Sequence, residues 1–292
     1  MTEKTRAYLQ LIRPPNLFTA AADVVAGFLF VGGGWGQIDR VILLSLCSMC
    51  LYAAGVTLND VRDADHDRTD RPDRPIPSGS VSARSAARLV LLLMLAGAML
   101  AAAVSMRHLL LAVMLVTAIV SYDVFAKKTW LAAPAMGSCR ALNLTLGMTA
   151  LDNSLSAEHL LPIAAMWLYI TSVTSFARTE ARQSDRGRLG VATVGASLAV
   201  AALAGLYTIL PNPSWHFLVP VAGLSITIAL VGARAARTGA PRDVQRAVTT
   251  MIVLLVALDA CIATAGQGLI AGAIVALFLI PVIWLGRRFR AT

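Results

Sequence analysis

Ten runs of mostly apolar residues follow one another along the chain, near 16–35, 41–60, 83–104, 108–125, 131–151, 159–177, 189–210, 215–235, 244–265 and 268–286. A helix needs about 20 such residues to cross a bilayer, so each run predicts a membrane span. The connections between the third and fourth runs and between the ninth and tenth are very short, and the count is open at those two pairs. No internal repeat or low-complexity linker separates the runs. The longest polar stretch, from Asn59 to Arg88, falls between the second and third.

Composition agrees with a chain that meets lipid. Hydrophobic residues make up 57% and charged residues only 14%, where a soluble domain carries about a quarter. Mean hydropathy is +0.70. The length alone would suggest two domains, but a bundle that buries its apolar faces in lipid is expected to form one transmembrane helical domain over residues 1–292. The first run follows Arg13-Pro14-Pro15-Asn16 and lacks a small-residue cleavage site before Gly32, so it reads as a span and not as a leader.

The net charge of +9 does not point to nucleic acid, because the basic residues sit between apolar runs and form no single face. With the N-terminus in the cytoplasm, all of the 25 Lys and Arg residues except Arg40, Arg107 and Arg140 fall on cytoplasmic segments. That asymmetry is the positive-inside pattern. It places both termini and the Asp-rich loops in the cytoplasm. Cys47 and Cys50 form a CxxC inside an apolar run. With no second Cys or His pair nearby, they read as packing residues one turn apart and not as a zinc or redox site.

The densest chemistry is Asn59-Asp60-Val61-Arg62-Asp63-Ala64-Asp65-His66-Asp67. If the second span continues helically, Asn59, Asp63 and Asp67 lie at i, i+4 and i+8, and Asp60 stands beside them. Carboxylates so close repel and call for a cation. Amide and carboxylate oxygens suit a hard ion such as Mg²⁺, which shares its shell with substrate phosphates. A calcium loop is excluded, since Arg68 and Arg74 stand where Gly and Glu are required. A solvated loop with Asp–Arg pairs is the bland alternative, and it leaves the helical spacing unexplained. His66 reads as a salt-link partner. Beyond it, Arg71-Pro72-Asp73-Arg74-Pro75-Ile76-Pro77-Ser78-Gly79 predicts a stiff cap. Its Arg71 and Arg74 suit phosphate, and Ser80 or Ser82 suits the N-cap of the next helix.

The Asn59-Asp60-x-x-Asp63-x-x-x-Asp67 motif with its Arg-Pro and Pro-Ser-Gly sequel, placed after the second span, resembles the first signature of the UbiA superfamily of intramembrane prenyltransferases. Arg13-Pro14 before the first span is similar to that family too. So is the segment from Tyr122 through Lys127-Lys128. The resemblance covers nearly the whole chain. It implies an all-α polytopic membrane protein, a UbiA-like helical bundle of about nine core spans plus one C-terminal span. It implies Mg²⁺ and a prenyl diphosphate donor held by Asn59, Asp60, Asp63 and Asp67. Lys127 or Lys128 would neutralise the departing diphosphate; apart from the resemblance, the i, i+4 spacing places Asp123 to orient Lys127. The donor's prenyl group would pass to a hydrophobic, lipid-accessible and in much of the family aromatic acceptor.

The second signature departs from that pattern. Ser175 to Gly187 has the right position and a basic tail, but Glu180, Ser184 and Asp185 replace the expected pair of aspartates. Glu180 and Asp185 are candidate metal ligands, and Arg178 and Arg182 are candidate diphosphate clamps. Within the fifth span, Arg140, Asn143 and Gly147 share a face. Arg140 and Asn143 are either substrate contacts or an interhelical polar contact with Gly147 permitting close approach. Asp23 and Asp259 read as buried and paired with partners the sequence does not identify. His108, His159 and His216 are too scattered for a metal site. The divergent second motif keeps a second function open, a non-catalytic transporter or carrier of a prenylated or lipid-linked precursor. Intramolecular cyclisation of a prenyl chain is a third.

Overall fold

A computed structural model describes residues 2–151, 155–178, 185–211, 213 and 215–289, and every expected apolar run in it is helical. A short amphipathic helix, α1 (Glu3–Ile12), leads into α2 (Pro14–Phe30). There follow α3 (Ile38–Asp70), α4 (Ala83–Val104), α5 (Met106–Ser121), α6 (Ala132–Met148), α7 (Ala157–Ala177), α8 (Arg186–Ala202), the short α9 (Leu206–Ile209), α10 (Leu218–Thr238), α11 (Pro241–Gln267), α12 (Leu269–Ala276) and α13 (Leu279–Arg288). Among the described residues, eight helical stretches are long and apolar enough to cross a membrane. The remaining two expected spans, α2 and α6, have 17 residues each. The tenth run breaks after Ala276 into α12 and α13.

Two helices hold the bundle together. One apolar core runs through α2, α6, α7, α8, α10 and α11, and a second through α2, α3, α4, α5 and α6. Thus α2 and α6 belong to both. They approach backbone to backbone because each carries a glycine at the crossing. A Cβ on Gly147 would stand 2.0 Å from the Val24 carbonyl oxygen, and one on Gly27 would stand 2.3 Å from that of Leu144. Small residues at such crossings let helices gain dispersion where lipid supplies no hydrophobic drive. The outer faces keep large apolar side chains exposed, such as Leu91, Leu92 and Leu95 on α4 and Val191, Val194 and Leu198 on α8. That is the surface a bilayer covers.

One helix is longer than a membrane is thick. The 33 residues of α3 rise about 50 Å at 1.5 Å each, against a hydrocarbon core of about 30 Å. Its last turns, Asn59 to Asp70, therefore project as a rigid arm. Pro72, Pro75 and Pro77 prevent its continuation. Ser82 caps α4 by accepting from the Ser85 amide at 3.1 Å. Val81 with Ala86, Ala7 and Leu11 forms a small satellite core that pins α1 and the proline cap to the arm.

Candidate functional site

The helical arm puts each side chain of the acidic motif on a defined azimuth. Successive residues turn by about 100°, so Asp60 and Asp67 lie within about 20° of each other, while Asn59 and Asp67 are about 80° apart. The expected single face accordingly divides into two. Asp60 and Asp67 are buried and turn towards arginines. Arg13 Nη2 lies 2.7 Å from Asp60 Oδ1, and Arg74 Nη1 lies 3.3 Å from the same oxygen and 2.7 Å from Asp67 Oδ2. Asn59 and Asp63 turn the other way, towards Lys127. Its ammonium donates to Asn59 Oδ1 at 2.6 Å and forms a short ion pair with Asp63 Oδ2.

Local backbone irregularities aim both cations. Arg13 is the hinge between α1 and α2 and has φ of 49°, in the left-handed region that a non-glycine residue adopts at a cost. Its hold on Asp60 fixes that conformation. Lys127 comes directly after a single π-helical turn, Tyr122–Ala126, closed by the Lys127 amide on the Tyr122 carbonyl at 2.9 Å. Such a turn inserts one extra residue and rotates the downstream backbone about the helix axis. The next loop is tied down by Arg178, whose Nη1 donates to the Thr129 carbonyl at 2.6 Å.

Behind this polar mouth lies a cavity of about 230 Å³ between α2, α3, α5 and α6. Leu51, Val56, Leu115 and Ile119 give it apolar walls, and Asn59, Asp123 and Arg13 stand at its rim. Asp123 is buried, and its Oδ1 has no hydrogen-bond partner. The floor carries Arg140 and Asn143. Arg140 donates to Asp23 Oδ2 at 2.8 Å and to Thr19 Oγ1 at 2.8 Å, and its guanidinium lies 5.1 Å from the Tyr52 ring centroid. Asn143 Nδ2 donates to Asp23 Oδ2 at 2.7 Å and to the Ala20 carbonyl at 2.8 Å.

The structure therefore brings Asn59, Asp63, Asp123, Lys127, Arg140 and Asn143 around one cavity and its mouth. Arg74, an expected phosphate contact, and Asp60 and Asp67, expected metal ligands, form a pair network with Arg13 beside the mouth. Arg71 and Lys128 are exposed beside it. Asp185 caps α8, accepting from the Gly187 amide at 2.9 Å, and pairs with Arg188 at 3.4 Å. Glu180 and Arg182 lie outside the described residues. His66 pairs with Asp70 at 3.2 Å, as a salt-link partner would. His108 is buried, with Nδ1 2.8 Å from Ser105 Oγ. Sequence reasoning did not single out Tyr52 or Ser48, which line the cavity about two and three turns before Asn59 on the motif's own helix; their only signal is a polar residue on an inward face.

Among the described residues, no three His, Cys, Asp or Glu side chains converge as a metal site; Asp60, Asp63 and Asp67 each meet a basic side chain. Asn59 Oδ1 and Asp63 Oδ2 nevertheless converge on one positive charge, the Lys127 ammonium. An oxygen pair that holds an ammonium fits a hard divalent cation, which takes one or two carboxylates and leaves its other positions to water and phosphate.

A model described as the UbiA prenyltransferase family matches residues 20–248. A digeranylgeranylglyceryl phosphate synthase of Methanopyrus kandleri is 33% identical over 171 residues, 56% of this chain and 58% of that protein. One from Saccharolobus solfataricus is 31% identical over 124 residues, 42% of this chain and 44% of that protein. The chain thus spans about half the length of the curated relatives it matches. Among solved structures, one described for digeranylgeranylglyceryl phosphate synthase in membranes superposes with a TM-score of 0.71 at 20% identity, covering 91% of this chain and 99% of the other. A UbiA homologue from Archaeoglobus fulgidus, solved with GPP and Mg²⁺, gives 0.63 at 14% identity, covering 96% and 99%. These likenesses establish the fold.

Proposed function

The chain belongs to the UbiA prenyltransferase family, and from that premise we propose that it transfers a prenyl group from a polyprenyl diphosphate, with Mg²⁺, to a hydrophobic acceptor in the cavity. The observation that carries the reading is the meeting of Asn59, Asp63 and Lys127 at the mouth of an apolar cavity. In the membrane this mouth faces the cytoplasm, where diphosphate donors are water-soluble at one end and lipid-like at the other.

Asn59 and Asp63 would hold Mg²⁺ and through it the diphosphate end, with Lys127 and exposed Lys128 beside it. Bound there, Mg²⁺ would neutralise charge on the diphosphate as it departs. The allylic C–O bond breaks and the diphosphate keeps the electron pair. Lys127 exchanges its pair with Asp63 for one with the leaving group, a contact that strengthens as charge develops. Arg178 steadies the loop that carries both lysines. Leu51, Val56, Leu115 and Ile119 keep water from the allylic carbon. The acceptor's nucleophilic atom bonds to that carbon, and its proton passes to Asp123 Oδ1, the buried oxygen at the rim with no donor of its own.

Family resemblance favours an aromatic acceptor. The name of the relatives favours a glyceryl phosphate that already carries one chain, whose nucleophile is an aliphatic hydroxyl. Incubation of the purified protein with geranylgeranyl diphosphate, Mg²⁺ and either acceptor class separates the two by product mass. Mg²⁺-dependent release of diphosphate with either acceptor supports transfer. Tight binding of intact donor without release, for donors of several chain lengths, would instead favour a carrier on the same fold.

A further inference from the structure

Below the cavity floor, three helices bring two aspartates together. Asp23 on α2 and Asp259 on α11 are both fully buried, and each stands seven residues, about two turns, before the crossing at which a Cβ on Gly266 would lie 2.4 Å from the Phe30 carbonyl oxygen, so the packing sets the two carboxyls beside one another. Arg140 on α6 reaches only Asp23, through Oδ2. Asp23 Oδ1 and both oxygens of Asp259 have no hydrogen-bond partner. Besides Asp23 and Arg140, the titratable neighbours of Asp259 are Tyr169 on α7, whose hydroxyl donates to the Met251 carbonyl at 2.7 Å, and Cys261 on α11.

An ionised carboxylate only accepts hydrogen bonds. Two of them in contact at membrane depth repel, and one guanidinium cannot neutralise both. Three acceptor oxygens facing each other are short of one donor. A proton supplies it, because a protonated carboxyl donates through its O–H. Arg140 pairs with Asp23 and not with Asp259, so the proton is placed on Asp259.

We propose that Asp23 and Asp259 share one proton, carried on Asp259 and donated to Asp23 Oδ1, so that the Asp23–Asp259–Arg140 cluster is electrically neutral inside the membrane. Asp259 is then a positioning residue. It fixes Asp23, and Asp23 fixes the two side chains that form the cavity floor, Arg140 and Asn143. This rests on the fold and not on the transfer reaction, so it stands or falls separately.

The test uses the full-length protein in detergent, labelled with ¹³C-aspartate. At neutral pH the infrared spectrum is expected to show a protonated-carboxyl C=O band that shifts with the label and is missing in Asp259→Asn. In SDS titrations, the ratio of unfolding constants, wild type over Asp259→Asn, is expected to rise about tenfold per pH unit above about pH 4, because only the wild type loses a proton on unfolding. Asp259→Glu, which keeps a donor, retains a protonated band at a new frequency. A labelled wild type without such a band, or a ratio flat with pH, overturns the proposal; the wild-type spectrum decides even if a variant fails to fold.

Discussion

Lys127 and Asn59 are 68 residues apart in the chain, yet the lysine ammonium lies 2.6 Å from the asparagine carbonyl oxygen across the mouth of the cavity. The contact exists because a π-helical turn ends one helix and a helix far longer than the membrane is thick carries the other. The same ammonium neutralises Asp63. A resting site that satisfies its own carboxylate must exchange that pair when a diphosphate arrives.

Asp63→Ala and Lys127→Met are therefore expected to fail differently. On the proposed reading, Asp63→Ala removes the carboxylate that would hold the cation, and Mg²⁺-dependent binding of geranylgeranyl diphosphate should fall by about 100-fold. Lys127→Met removes a charge whose contact strengthens only as the leaving group departs, so turnover should fall by about 100-fold with a much smaller loss of donor binding. Isothermal titration and steady-state assays of the two variants separate these outcomes; equal losses in both measurements for both variants would contradict the division of roles.

Arg74 is expected to matter for stability more than for substrate. Its guanidinium serves Asp67 and Asp60, and all three side chains are largely buried. Arg74→Met leaves Asp67 without a cation, whereas Asp60 keeps Arg13. A loss of about 3 kcal/mol is expected in SDS unfolding. Adding Asp67→Asn should recover part of it, since the double variant no longer buries an unpaired charge. A double variant as unstable as the two single losses added together would remove the pair from the account.

How far the sequence leads depends on the range of the contact. Apolar runs and the proline cap are local signals, and among the described residues they located every membrane-spanning helix, missing the amphipathic α1 and the break after Ala276 that divides the last run. The azimuth of Asp60 was also legible: seven residues are nearly two whole turns, so Asp60 had to share a face with Asp67 rather than with Asn59. Grouping Asn59, Asp63 and Asp67 by steps of four neglected the drift that accumulates over eight residues. Partners were a different matter. Asp23 could be flagged as an acid within a span, but Arg140 is 117 positions away, and only packing through Gly27 and Gly147 brings them together.

That packing sets a sharp steric expectation. A methyl group on Gly147 would stand 2.0 Å from the Val24 carbonyl oxygen, an atom of helix backbone that has no rotamer in which to escape. Gly147→Ala should therefore push α2 from α6, lowering stability by about 1–3 kcal/mol and loosening the Arg140–Asp23 contact. Gly223→Ala on α10 is the control, since nothing lies within 4 Å of its added Cβ, and it should be neutral or slightly stabilising because alanine is the better helix former. Thermal melts of both variants test the contrast. Equal melting temperatures would mean that the two helices are not in backbone contact.

Asp123 offers the most direct view of the chemical step. It is buried at the cavity rim with Oδ1 unpaired, the position from which a base can take the acceptor's proton. Asp123→Asn keeps the shape and the hydrogen-bonding reach but cannot accept a proton, so kcat should fall by about 10²- to 10⁴-fold. Binding of the donor, which Asn59 and Asp63 on another helix are proposed to hold through Mg²⁺, should change little. An aliphatic hydroxyl needs deprotonation as its oxygen bonds to the allylic carbon, and an aromatic ring sheds its proton only after carbon–carbon bond formation. With the hydroxyl acceptor, the Asn variant should stop before the prenyl group is transferred. With the aromatic acceptor, transfer should persist at a reduced rate, because bond formation precedes proton loss. Rapid-quench measurement of prenylated product with each acceptor distinguishes the two. Wild-type rates with both would remove Asp123 from the reaction and confine it to supporting the π-helical turn.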